Sequence, residues 1–247
     1  MPDFSKMRLG KLPPVFRPTD LKLAKYLPAS LPAPPDEVDY SYGVNRWGEL
    51  LNDDLGCCTI SGAGHTVQSW RLSLIGGGFL TIPDPDILSK YEAWCGYNPN
   101  DSSTDQGGVE SDVLRDWRKS GFTVNGIGHN LKAFTNVDPQ NFDHVKQTIN
   151  LFGGIYTGIA LPLSAQNQEI WSVGDAPGSW GGHCTWIVRY DTLGLTCVTW
   201  GVLQRMTWKF WLDYVDEAWC LMSDTDFNNP NGVLYDALLA DLAVVTA

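Results

Sequence analysis

The chain has 247 residues, with 17 basic and 28 acidic side chains, a net charge of −11 and a pI near 4.6. A surface of that sign repels phosphate, so nucleic acid is not an expected partner. Hydrophobic residues at 43% and charged residues at 18% exclude disorder or a collagen-like repeat, and the length suits one large domain or two small ones.

The first 26 residues depart from the rest. They carry six bases (Lys6, Arg8, Lys11, Arg17, Lys22 and Lys25) against two acids (Asp3 and Asp20), a local charge of +4 on an acidic body. Seven prolines follow one another between Pro13 and Pro35 (Pro13, Pro14, Pro18, Pro28, Pro32, Pro34, Pro35). Each removes a backbone donor and disfavours helix for the residue before it. Residues 1–40 therefore read as an extended basic arm, lying across its own body, docking on a partner or solvated, with compact structure beginning near Val38–Gly48. No apolar stretch follows the N-terminal bases as a secretion signal requires, and no segment is long and apolar enough to span a membrane. The expected compartment is cytoplasmic, with Cys57, Cys58, Cys95, Cys184, Cys197 and Cys220 as reduced thiols. No CxxC spacing occurs, so neither a metal nor another cofactor is expected.

Asn52–Gly56 reads as a turn and Cys58–Leu72 as a helix of small and apolar residues. Its glycines cost about 1 kcal/mol each relative to alanine, which predicts close packing around a buried helix. Further helices are expected at Asp86–Trp94, at Glu110–Ser120 with Gly121 as its stop, and at Phe142–Phe152. Asn98–Gly108 is a polar loop between them. Strands are expected at Ile155–Leu161, Cys184–Asp191, Leu195–Thr199 and Glu217–Ser223. A last helix, Val233–Val245, puts Leu234, Leu238, Leu242 and Val245 on one face. Helices first and strands second imply an α+β fold. The corresponding division is an arm at 1–40, a helical lobe at 41–130, a β-rich lobe at 131–232 and a C-terminal helix at 233–247.

Cysteine is the strong nucleophile available. A helix N-terminus lowers a thiol pKa by positive potential and free N–H groups, and Cys58 stands at one. His65 is seven residues along the same helix, about 10 Å away at 1.5 Å per residue, which is too far for a hydrogen bond. It reads as a packing or surface residue, and His129 and His144 read as solvated. His183 follows Gly181-Gly182 and opens an apolar strand, so it can project into a cleft from a rigid support.

Asn52 six residues before Cys58, then Gln106-Gly107-Gly108 leading a helix, then Gly182-His183 leading a strand through Tyr190, then Val198-Thr199-Trp200-Gly201, occur in an order that resembles the papain-like cysteine peptidases. The resemblance covers roughly residues 45–225 and looks most like short members encoded by bacteria and their phages. It implies a two-lobed fold and acyl transfer through a thioester. Cys58 is the implied nucleophile, His183 the base and acid, and Asn52 an oxyanion donor. Gly107 and Gly108 would meet the substrate backbone, and Trp200 would shield the dyad. The departures are specific. Val198 stands where the family has the Asn that orients the imidazole, and valine accepts no hydrogen bond. Asp216 and Glu217 are acidic candidates for a third residue. Thr59 replaces the aromatic after the nucleophile, and Leu55 the cysteine three before it. Two functions follow: a peptidase or amide hydrolase with a peptide or protein substrate, or an inactive module, such as a virion component, that docks on an assembly partner through the arm. An arm lying across Cys58 favours a latent enzyme, whereas one projecting away favours assembly.

Overall fold

A computed structural model of the chain describes residues 3–74, 76–224 and 232–245. In chain order the elements are β1 (Val38–Asp39), α1 (Cys58–Ser73), α2 (Asp84–Cys95), α3 (Glu110–Ser120), β2 (Phe122–Val124), β3 (Ile127–His129) and β4 (Leu131–Asn136). Then come α4 (Phe142–Phe152), β5 (Ile155–Leu161), β6 (Ile170–Trp171), β7 (Gly181–Tyr190), β8 (Gly194–Thr199), β9 (Val202–Thr207), α5 (Trp208–Tyr214), β10 (Val215–Ser223) and α6 (Tyr235–Val245). Helices dominate the first half and strands the second, as the α+β reading requires.

One mainly antiparallel sheet runs β4-β10-β5-β7-β8-β9-β6, with β1 added to β7 and a parallel pairing only at β6–β9. β2 and β3 form a separate hairpin. Both faces of the large sheet are covered, which explains why β5 and β7 read as continuous apolar runs and not as alternating ones. One face carries Ile187 and Cys197 and packs on α4 and on Phe210 and Trp211 of α5. The other carries Cys184, Trp186, Val188 and Val198 and packs on α1, α2 and α3, where Trp70 and Trp117 lie 5.6 Å apart. Eleven tryptophans thus go largely into the two faces of one sheet.

Helix α1 is buried from Cys58 through Trp70, as its composition predicts. A Cβ on Gly62 would stand 2.9 Å from Cys184 Sγ, and one on Gly64 would stand 2.7 Å from Leu50 Cδ1. Gly62 lets the helix lie directly on β7, and Gly64 lets Leu50, Ile82 and Ile87 pack against its other side. Gly121 ends α3 at φ 70°, again as expected.

The N-terminal segment differs from the expectation that compact structure starts near Val38. Phe4, Leu23 and Tyr26 are buried in the core, the last donating from its hydroxyl to Asp241 of α6 at 2.6 Å. Prolines deny the segment helix and strand, yet its apolar side chains find the body all the same. β9 and α5 were also hidden in the sequence. Val202–Thr207 looks too polar for a strand because its alternate residues are partly exposed, and α5 is a short helix started by Thr207, whose hydroxyl accepts from Phe210 N at 3.0 Å.

Candidate active site

Cys58 is the first residue of α1, preceded by a turn in which Asn52 is buried. The turn is fixed from outside. Gly56 N donates to Asp105 at 3.0 Å, Tyr91 Oη donates to the same carboxylate at 2.5 Å, and Gly107 N donates to Tyr91 Oη at 2.9 Å. One carboxylate and one phenol therefore tie the residues before Cys58 to the Gly107-Gly108 segment. Gly107 has φ +75°, a backbone conformation suited to glycine.

His183 comes from the opposite side, at the start of β7. Its Nε2 lies 2.6 Å from Thr199 Oγ1. Its ring stacks on Trp200 with centroids 4.2 Å apart and planes 17° apart. Its Nδ1 is buried and has no hydrogen-bond partner among the described residues. The partner of His183 is thus the neighbour of Val198. In the register of β7 with β8, Trp186 faces Val198 and Ile187 faces Cys197. Side chains alternate across a sheet, so Cys197 and Thr199 share the His183 face while Val198 points into the core with Trp186. Val198 offers the ring no acceptor, and Thr199, one residue further on, supplies one. Period two along β8 was the signal that could have found Thr199.

Between these two walls runs the N-terminal segment, residues 8–12. Arg8 N donates to Asn52 O at 3.2 Å, and the Arg8 carbonyl accepts from Asn52 Nδ2 at 3.3 Å and Trp200 Nε1 at 3.2 Å. Gly108 N donates to Gly10 O at 2.8 Å, Leu12 N donates to Gly108 O at 3.0 Å, and Lys11 N donates to Gly182 O at 3.1 Å. Every sequence candidate is accounted for here. Asn52, Gly107, Gly108 and Trp200 all hold or abut this segment, and the backbone of Gly10 and the charge of Lys11 both act on the Cys58 sulfur. The fit is close, since a Cβ on Gly10 would stand 1.7 Å from Gly56 O.

Covered in this way, the site is dry and neutral. Burial pushes the Cys58 thiol up to about 12, against the weaker opposing pull of backbone groups at Cys184 and Gly10. Burial also pushes His183 down to about 3, with His65 adding repulsion. His65 itself is a packing residue, 3.0 Å from Gly48 O, and is lowered to about 4 by burial. His129, expected in solvent, is buried in β3. The hairpin that encloses it was not foreseen. Asp216 and Glu217 do not reach the imidazole; they bind Lys11, at 2.9 Å and 3.1 Å.

An open cavity of about 550 Å³ lies elsewhere, lined by Thr19, Leu21, Arg115, Phe134 and Leu242. The cleft itself is filled by the chain. All six cysteines are free, and the described residues contain neither a cluster able to hold a metal nor a helix long and apolar enough to cross a membrane.

No protein-family model matches the chain, and no curated protein matches it in sequence. Solved structures do match it. Xylellain, a cysteine protease from Xylella fastidiosa, superposes with a TM-score of 0.66 at 15% identity over 87% of this chain and 96% of its own. The Carica candamarcensis cysteine protease CMS1MS2 gives 0.58 at 14% identity, over 79% of this chain and 100% of its own. Procathepsin B S9 from Trypanosoma congolense gives 0.56 at 10%, over 90% and 88%. The fold is papain-like.

Proposed function

We propose that this chain is a cysteine peptidase or amide hydrolase kept latent by its own residues 8–12. The observation that carries the reading is the state of His183. Thr199 engages Nε2, Trp200 fixes the ring plane, and Nδ1 is buried with no partner. An imidazole retained only for packing has no need of an unpaired buried nitrogen, which costs about 1–3 kcal/mol. The cost is intelligible if Nδ1 is reserved for the Cys58 thiol.

In this mechanism displacement of residues 8–12 admits water and substrate. The thiol transfers its proton to His183 Nδ1, forming the ion pair that burial now forbids. The Cys58 sulfur attacks the substrate carbonyl. Asn52 Nδ2, released from the Arg8 carbonyl, and the Cys58 N–H stabilise the oxyanion, each donor contributing roughly 3 kcal/mol. His183 then returns its proton to the leaving amine, and water hydrolyses the thioester with His183 as base. Throughout, Thr199 accepts from Nε2–H and so sets the tautomer that leaves Nδ1 free to take the thiol proton.

The alternative, an inactive module docking through its N-terminal segment, draws on the neutral resting pair. Labelling separates the two. A papain-type epoxide or vinyl sulfone at pH about 6 should modify Cys58 slowly in the native chain. It should react much faster in Gly10→Ala, whose added methyl cannot fit against Gly56 O, and the gain should vanish with His183→Ala. Equally sluggish labelling in native and Gly10→Ala chains, with the cleft shown open by amide exchange, would retire the enzymatic reading.

A further inference from the structure

Lys11 crosses the cleft with its side chain 1% exposed. Its Nζ lies 2.9 Å from Asp216 Oδ1, 3.1 Å from Glu217 Oε1 and 3.3 Å from Leu12 O. Behind these stands Glu110 of α3, fully buried, its carboxyl beside the Cys184 thiol. The pocket is acidic beyond what one lysine neutralises. It is also shaped for a straight chain. A Cβ on Gly158 of β5 would stand 2.1 Å from Lys11 Cε and 2.9 Å from Cδ, so any side chain there would close the channel through which the methylenes run.

Apart from the Leu12 carbonyl, the groups around the Lys11 side chain belong to the body: Glu110 on α3, Gly158 on β5, and Asp216 and Glu217 on β10. The hydrogen bonds that seat Lys11 come from the Gly108 and Gly182 backbones, which read no sequence. Any extended peptide taking the same place presents one side chain to the same pocket. An apolar occupant would leave Glu217 buried without a cation, which is far worse than leaving it wet. Lys11 shows the opposite balance. Burial alone would lower its ammonium, but Glu110, Glu217 and Asp216 outweigh that and hold it charged.

We infer that, once residues 8–12 are displaced, the Glu110–Asp216–Glu217 pocket selects a lysine side chain of the substrate, within two residues of the amide that Cys58 attacks. This deepens the peptidase reading and rests on it. The N-terminal segment then holds the cleft closed by presenting the side chain that the pocket is built to take. Lysine fits better than arginine because the carboxylates converge on a single point at the end of a narrow channel, where a broad planar guanidinium has no room.

The test uses the full-length Gly10→Ala chain and peptidyl vinyl sulfones that carry lysine, norleucine, arginine or glutamate at either of the two positions nearest the electrophile. The lysine probe is expected to label Cys58 at least tenfold faster than norleucine at one of those positions, and the ratio should collapse in Glu217→Gln. A norleucine probe as fast as lysine overturns the pocket, and an arginine probe faster than lysine overturns the choice of lysine. Iodoacetamide is run alongside. If it too leaves Cys58 untouched, the peptidase reading has failed, and the pocket is judged by binding alone. In Lys11→Ala, n-butylammonium should raise the thermal midpoint by several degrees while n-butanol does not. Equal effects of the two would show that the pocket has no preference for a cation.

Discussion

At Cys58 and His183 burial leaves two neutral groups, a thiol pushed to about 12 and an imidazole pushed to about 3. Beneath the same stretch of N-terminal chain, at Lys11, burial leaves an ammonium among carboxylates and holds it charged. The two centres share a cover and a degree of dryness. They differ in what the cover brings. Over Cys58 it brings the backbone of Gly10, which cannot replace water for an ion pair. Over the carboxylates it brings a cation that can. Cover and anchor are therefore separable: Lys11 anchors the segment, and the residues beside it keep Cys58 and His183 dry.

The largest effect should come from breaking the charged centre. Lys11→Ala leaves Glu217 buried without its counter-ion, a loss of about 3–5 kcal/mol if the cover stays in place. The segment can instead lift and let the carboxylates hydrate, so the loss in global stability is capped at the free energy with which residues 8–12 dock. Urea unfolding should show the smaller loss, and hydrogen exchange at Leu12 and Gly108 should show the release. Unchanged exchange at both amides would mean that Lys11 is not the anchor.

The neutral centre is broken more gently by Thr199→Val, which keeps the shape and removes the oxygen beside His183 Nε2. A stability loss of about 1–3 kcal/mol is expected from the unpaired ring nitrogen. In the Gly10→Ala background, Cys58 labelling at pH about 6 should fall roughly a hundredfold, the size of effect general acid–base groups contribute. Loss of stability without loss of labelling would make Thr199 a packing residue.

The helices α3 and α4 were legible because each ends at a glycine and carries an apolar face that needs no knowledge of the partner, and α1 because its run of small and apolar residues implies burial all round. The candidate residues Asn52, Cys58, Gly107, Gly108, His183 and Trp200 could be singled out because the spacing of one ordered set resembles a known family. Thr199 was not read, because its role depends on the register of β8 against β7, a tertiary fact that a motif alignment at Val198 conceals. The Lys11 pocket was beyond reach for a stronger reason. Glu110, Gly158, Asp216 and Glu217 sit on three elements far apart in sequence, and nothing local marks a buried carboxylate as distinct from a solvated one.

Acid should sharpen the contrast between the two centres. Imidazole resonances of His65 and His183 are expected to remain those of neutral rings down to about pH 5, since burial holds them near 4 and 3. The unfolded chain takes up those protons near 6.5, so each ring withdraws up to about 1.4 kcal/mol of stability per pH unit below that value. Glu110 works in the opposite sense. Its carboxyl is raised well above the ordinary range by burial and by Glu217, so the folded chain keeps a proton that the unfolded one gives up above about 4.5. Comparing the native chain with Glu110→Gln between pH 6.5 and 5 isolates the histidines: the variant should lose stability more steeply. Parallel slopes would place the Glu110 proton elsewhere.

The smallest effect concerns the frame that holds both centres in register. Tyr91 donates to Asp105 and accepts from Gly107, and Asp105 in turn accepts from Gly56, just before Cys58. Tyr91→Phe keeps the ring stacked on Tyr97 and deletes one oxygen. The expected cost is about 1 kcal/mol of stability, because the Gly107 N–H loses its partner while Gly56 keeps its carboxylate. The consequence for binding should be one-sided. The Gly107-Gly108 wall, which takes the peptide backbone, loosens, whereas the turn leading into α1 does not. In Gly10→Ala, concentration-dependent labelling by the lysine probe should therefore show weaker saturation with an unchanged limiting rate. A fall in the limiting rate instead would mean that Asp105 holds the Cys58 turn only with the help of Tyr91, and that the two walls of the cleft are a single mechanical unit.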